Sequence, residues 1–175
     1  MILANKLGAL GVLISDVIEG ELSGLSQSAA ALLLTLHYCP SITTTRFAEV
    51  AGITEPTAVR VLDGLTRRGW LKRQSRIGRT TPLLLTGAGK AQAQSLQAAR
   101  LGAMRRLLGA LAEQERITFE RSLDTILAAA TTSRAFARTT CRLCDHAACA
   151  GRLCPIGARA TELEQTPRKL SGRRR

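Results

Sequence analysis

The sequence predicts a mainly α fold with one small β-hairpin, and three observations carry that expectation. The 175-residue chain is 45% hydrophobic but only 3% aromatic. Its apolar residues are mostly Leu and Ala, which favour helix, while the β-branched and aromatic residues that favour strands are scarcer. Apolar residues recur at steps of three and four near both ends of the chain. Only two short strand candidates interrupt the pattern, residues 70–73 and 82–85, and the basic segment QSRIGRTT joins them with the length and chemistry of a hairpin loop. The length suits one core, or a small domain plus long helices.

Each element has its own reason. Leu3, Leu7, Leu10, Ile14 and Val17 alternate steps of four and three, a helical seam that packs against another helix. This first helix is expected to end near Val17 or Ile18, before the loop EGELSG. Ser26 is a good N-cap for a second helix. Leu32, Leu33, Leu34 and Leu36 are too dense there for a surface stripe, so this helix should be central, with Cys39 in the core and Pro40 as its stop. A short helix over residues 44–51 should stop at Gly52, and another should run from Thr54 to Arg68 with Gly69 as C-cap. After the hairpin come a long helix over about residues 87–111 and another to about Thr131, where Phe119, Leu123, Ile126 and Ala130 repeat the four–three–four spacing. No internal repeat is evident.

The formal charge is +12 and the pI near 10.9. Five positive charges lie in the last eight residues, RKLSGRRR; subtracting 5 from +12 leaves +7 on the rest. The whole chain therefore favours a polyanionic partner, with the tail read as a solvated end. No stretch approaches the roughly 20 apolar residues that span a bilayer. The N-terminus has one Lys, early acidic residues and no evident small-residue cleavage site, so a cytoplasmic, non-membrane protein is expected.

The segment TTTRFAEVAGITEPTAVRVLDGLTRRGW carries the clearest motif. Gly52 follows Ala48 by four residues, where a tight turn needs φ > 0. Phe47, Ala51, Ile53, Ala58, Val61 and Leu62 supply the apolar contacts that fix two helices at a steep angle, a helix-turn-helix pattern. Thr54 can cap the second helix, and Pro56 falls in its first turn, where a missing N–H loses no intrahelical bond. Glu55, Thr57, Val59 and Arg60 should face outward or lie near the edge. Helix N-termini favour phosphate, and short polar groups with one Arg suit the major groove. Arg67, Arg68, Lys72 and Arg73 follow, with Arg76 and Arg79 at the hairpin tip, in reach of phosphate or the minor groove.

In this order, LSQSAAALLLTL, then ITEPTAVRVLDGLTRRGWLKR, then LLLTGAGKAQ, the chain resembles the winged-helix regulators of the MarR family over about residues 1–131. The resemblance implies a homodimeric repressor or activator whose first and last helices form the dimer interface. It also implies that Thr54, Glu55, Pro56, Thr57 and Arg60 are recognition-helix residues and that Arg76 and Arg79 belong to a wing over the adjacent minor groove. Family wings usually carry Asp-Arg-Arg before the final strand; here the stretch is Ile77-Gly78-Arg79, without the carboxylate, and the tip is about two residues shorter. The seam of the first helix and the spacing from Phe119 to Ala130 support a dimer independently, because a monomer would expose both stripes. The alternative is that the stripes pack on each other within one chain.

The expected organisation is a dimerisation helix (1–24), a winged helix-turn-helix (25–86), C-terminal dimerisation helices (87–131), a Cys-rich segment (132–160) and a basic tail (161–175). In the Cys-rich segment Cys141, Cys144, Cys149 and Cys154 have the spacing C-x2-C-x4-C-x4-C. Thiolates so spaced can wrap one tetrahedral ion, with His146 as an alternative ligand. Zinc is the first choice and an iron–sulfur cluster the second; Ala148 stands where zinc knuckles usually have glycine, and cluster proteins space their cysteines more tightly. Redox-sensing thiols and packing cysteines are the other open readings. The segment is expected to be an appendage to the dimerisation end.

No Ser-His-Asp set, phosphate-cradling Gly loop or other catalytic constellation can be assembled, so an enzyme is not expected. The expected function is a homodimeric regulator of transcription, in the first instance a repressor, bound to double-stranded DNA and modulated by a small-molecule, metal or redox signal. The alternative is an RNA- or single-strand-binding protein that uses a knuckle-like Cys cluster with the basic tail. Such proteins usually stack bases on aromatics, whereas Tyr38, Phe47, Trp70, Phe119 and Phe136 read mostly as buried.

Overall fold

The computed structural model describes residues 1–75, 81–149 and 153–165. Among these, in chain order, stand α1 (Ile2–Glu21), α2 (Gln27–Tyr38), α3 (Thr44–Ala51), α4 (Glu55–Arg67), β1 (Leu71–Arg73), β2 (Leu83–Leu85), α5 (Gly87–Leu108), α6 (Glu113–Ala130), α7 (Arg134–Thr140) and α8 (Pro155–Gln165). The mainly α class with a hairpin is as the sequence predicts.

α2 is the central element. Ser26 caps it, its hydroxyl accepting from the Ala29 N–H at 3.2 Å. Every residue from Ala29 to Leu36 is buried, against α5 on one side and α3, α4 and β2 on the others. Each fully buried Leu contributes about 1.5–3 kcal/mol relative to its exposed state. Cys39 departs from expectation: the helix has ended there, its backbone leaves the helical region, and the side chain is exposed. Of the aromatics, only Phe47 is fully buried; Tyr38, Trp70 and Phe119 are half-buried, and Phe136 lies at the surface.

β1 and β2 pair antiparallel in the register Leu71↔Leu85, Lys72↔Leu84 and Arg73↔Leu83. Leu71, Leu83 and Leu85 face the core while Lys72 and Arg73 face out. The Thr86-x-x-Gly89 step ties the hairpin to α5. The Thr86 hydroxyl donates to the Gly69 carbonyl at 2.7 Å and accepts from the Gly89 N–H at 3.0 Å. A side chain at Gly89 would put its Cβ 2.0 Å from the Trp70 carbonyl oxygen, so only glycine fits that approach.

α1 and α6 behave differently. α1 runs through Gly20 to Glu21, beyond the expected end, and packs on α5, yet neither α1 nor α6 has a buried residue. Leu3 is 80% exposed, Leu7 55% and Ile126 50%. Leu3, Leu7, Ile126 and Ala130 of the two stripes thus stay open in a single chain, while Leu10, Ile14, Val17, Phe119 and Leu123 are half-buried, and α6 meets α8. α7 and α8 were not foreseen. Ala137, Cys154, Ile156 and Ala160 form a second, smaller core with Leu127 of α6 against it. α8 continues to Gln165, so residues 161–165 are helical and the tail boundary drawn at 161 falls inside a helix. Among the described residues, no helix is long and apolar enough to cross a membrane.

Candidate nucleic-acid interface and cysteine centre

The turn between α3 and α4 is built on Gly52, in the left-handed region at φ 65°. The Ile53 N–H then reaches the Ala48 carbonyl at 3.0 Å, closing the α3 end. Phe47, Ala58 and Leu62 lock the helices from beneath, and Ala51, Ile53 and Val61 pack against them. This leaves the outer face of α4 to solvent: Thr54, Glu55, Pro56, Thr57, Val59 and Arg60 are all exposed.

The details differ from a simple row of contacts. Thr54 occupies the N-cap position, but its hydroxyl pairs with the Thr57 hydroxyl at 2.9 Å rather than capping a backbone N–H. Glu55 is tied back to α3, its carboxylate accepting from the Thr45 hydroxyl. Thr57, Arg60, Gly64 and Arg68 line a shallow cleft of about 280 Å³ shared with Leu25 and Ser26 at the start of α2. The Arg68 guanidinium lies 5.2 Å from the centre of the Trp70 ring. On the hairpin, Lys72 is exposed, and Arg73 is paired with Asp63 at 2.9 Å. Arg76 and Arg79 lie outside the described residues.

Cys141, Cys144, Cys149 and Cys154, with His146, line one cavity of about 520 Å³ together with Arg134 and Arg138. The thiols stand as two pairs. Cys141 donates to Cys144, which holds the Cys144 thiol down at about 7, with the Arg100 guanidinium acting in the same direction; the same bond and burial push Cys141 up. Cys149 pairs with Cys154, and burial first, then that bond, push Cys149 up to about 11. The Cys154 Sγ accepts the Gly157 N–H at 3.2 Å, in the first turn of α8. Among the described residues, no group of three or more His, Cys, Asp or Glu side chains stands ready-made to hold a metal ion.

The segment packs on the helix-turn-helix as well as on α5 and α6. α7 packs on α3, the Thr139 hydroxyl approaches the Glu49 carbonyl at 3.4 Å, and Thr139 Cγ2 lies 3.7 Å from where a Gly52 Cβ would be. Leu143 packs on the main core. Gln97, buried in α5, donates to the Leu143 carbonyl at 3.3 Å and accepts from the Asp145 N–H at 2.9 Å and Arg100 at 3.1 Å, in the amide orientation that satisfies all three. Asp145 accepts from the Ala147 and Ala148 N–H groups at 2.9 and 3.2 Å, turning the chain between the second and third cysteines. Burial would raise Asp145, but its bonds from Tyr38, Ala148 and Ala147 and the nearby Arg100 charge hold it below the usual carboxylate range. Burial and the Asp145 carboxylate push the Tyr38 phenol up to about 12, and its ring meets His146 at 5.5 Å. Sequence reasoning missed Tyr38, Gln97 and Arg100 in this role. The one local signal is the polar pair Gln97 and Arg100, three residues apart on the same face of an Ala- and Leu-rich helix.

Residues 25–76 match the family model described as MarR. No curated protein sequence matches the chain. Among solved structures, a MarR-family protein of Mycobacterium tuberculosis is 26% identical, covers 71% of this chain and 92% of its own, and superposes with a TM-score of 0.60. That protein has also been solved with p-aminosalicylic acid and with salicylic acid. The YusO protein of Bacillus subtilis (22% identity, 73% of this chain and 93% of its own, TM-score 0.64) shares the fold. So does MepR, a transcription regulator of the Staphylococcus aureus efflux pump MepA (18%, 70% and 96%, 0.60). Over residues 25–76, its winged-helix unit, the chain matches the MarR family model, and over about 70% of its length it shares the fold of these proteins.

Proposed function

We propose that the protein is a cytoplasmic, homodimeric regulator that binds a pseudo-palindromic duplex site, acting as a repressor until a signal releases it. The observation that carries this is the outer face of α4. Thr57 and Arg60 are exposed while Ala58, Leu62 and Leu65 anchor the opposite face, so the helix is held rigidly with its polar side outward. Thr57 and Arg60 read base edges; Thr54 and Pro56 start the helix, and Glu55, held by Thr45, orients it. Lys72 and Arg73 reach phosphate beside the groove, with Arg76 and Arg79 as the wing contacts. The organisation follows: dimerisation through 1–24 and 87–131 around a reader at 25–86. The open apolar faces of α1 and α6 support self-association, since their exposed Leu and Ile side chains would meet water in a monomer. The salicylate complexes of the M. tuberculosis relative favour a small aromatic acid as one class of effector.

The test is competition between labelled duplex DNA and single-stranded RNA at matched salt, with Arg60→Ala alongside. Preferred duplex binding that Arg60→Ala weakens supports the proposal; preference for the single strand overturns it. A steep salt dependence alone decides nothing for so basic a chain.

A further inference from the structure

The geometry points to a tetrathiolate site at which Cys141, Cys144, Cys149 and Cys154 bind one divalent zinc-class ion and thereby clamp α7 against the helix-turn-helix. Several observations converge on it. All four thiols border one cavity of about 520 Å³, with His146 beside them. Zn–S bonds of about 2.3 Å gather four sulfurs around one ion, and the C-x2-C spacing of Cys141 and Cys144 suits one half of such a site. Closure then requires the thiols to draw together across the cavity, since they do not stand ready-made around an ion.

The surroundings suit a thiolate complex rather than inert packing. The Gly157 N–H already donates to the Cys154 sulfur at 3.2 Å, as backbone amides do to bound thiolates. Four thiolates around a divalent ion carry a net negative charge. Arg134 and Arg138 line the cavity, and Arg100 faces Cys144 from α5 with its Nε buried and unpartnered among the described residues. The Asp145 turn and the Gln97 contacts hold the loop from outside, as outer-shell groups of metal sites commonly do.

The site also has something to act on. Thr139, two residues before the first ligand, contacts Glu49 and the Gly52 turn of the DNA-reading unit. Drawing the two thiol pairs together fixes the end of α7, and with it the face on which α3 rests. This regulatory half rests on the proposed DNA binding; the metal site does not.

The experiment uses the full chain purified with reductant and without oxygen. Elemental analysis should find one zinc per chain, and cobalt(II) should give the intense ligand-field bands of tetrahedral tetrathiolate. Cys144→Ser and Cys154→Ser should each weaken zinc binding by more than the about 10–100-fold that loss of an outer-shell partner costs, while Cys39→Ser leaves it unchanged. Titrating metal-free wild-type protein tests the site even if a variant misfolds. Reduced protein that takes up no zinc, iron with acid-labile sulfide, or Cys141–Cys144 and Cys149–Cys154 disulfides in place of metal would each overturn the site. Duplex affinity measured on the same samples should change about 5-fold or more with loading. Stoichiometric zinc with unchanged duplex affinity overturns the clamp, and zinc binding without any duplex binding sinks the DNA-binding function alone.

Discussion

α1 and α2 are both Leu-rich helices, but they have opposite fates. α2 buries eight of its 12 residues; α1 buries none of its 20. The difference lies in arrangement. α2 carries apolar side chains all around its middle turns and is enclosed by α3, α4, α5 and β2, whereas α1 carries a stripe that, among the described residues, its own chain covers chiefly along α5. A helix apolar on every side fills a core, and one with a seam awaits a second surface.

The sharpest way to break the comparison is to cut into each helix. Leu33→Ala, at a fully buried position, should cost about 2–5 kcal/mol in urea unfolding, by lost burial and an unfilled cavity. Leu7→Glu should leave monomer stability within about 0.5 kcal/mol. It should, however, weaken self-association in sedimentation by about tenfold or more, because one apolar anchor is worth about 1.5–3 kcal/mol. If both substitutions unfold the chain alike, α1 belongs to the core and the contrast fails.

Smaller effects sharpen the contrast between framework and reading surface. Arg60→Ala should lower duplex affinity by about 1–3 kcal/mol with little change in unfolding. The cysteine segment lies between the two regimes, half-buried against both cores, and pH separates its thiols. With Cys144 held down to about 7 by Cys141 and Arg100, alkylation of metal-free protein at Cys144 should accelerate as pH rises through about 7 and level off above. Cys149, pushed up to about 11, should react only at higher pH; site-resolved mass spectrometry reads both. Last, Arg73→Ala, which breaks an exposed pair with Asp63, should cost no more than about 1 kcal/mol in unfolding.

These contrasts also show where the sequence is legible. The helix-turn-helix could be placed to within a residue at each end because its signals are local: Gly52 at a positive φ, Pro56 in a first turn and Ser26 at a cap. The open seam of α1 was equally plain from its spacing. The docking of the cysteine segment was not, because it depends on pairs such as Thr139 with Glu49, 90 residues apart. α7 is only seven residues long, too short for a periodic signal. Cys39 was misplaced because the helix density suggested a core around it, whereas the buried run ends at Leu36 and Cys39 is the exposed C-cap. The interface chemistry of Thr57 and Arg60 was read from residue type and position, but the tie between Glu55 and Thr45 needs the folded turn.

The most direct test of the central claim is footprinting of the full-length protein on duplexes selected from a random pool, with complex stoichiometry by sedimentation. Two chains should protect a two-fold-symmetric site whose half-sites lie about one helical turn apart, about 10–10.5 base pairs, or a multiple of that. Protection by a single chain on an asymmetric site, or selection of no duplex at all, would contradict it.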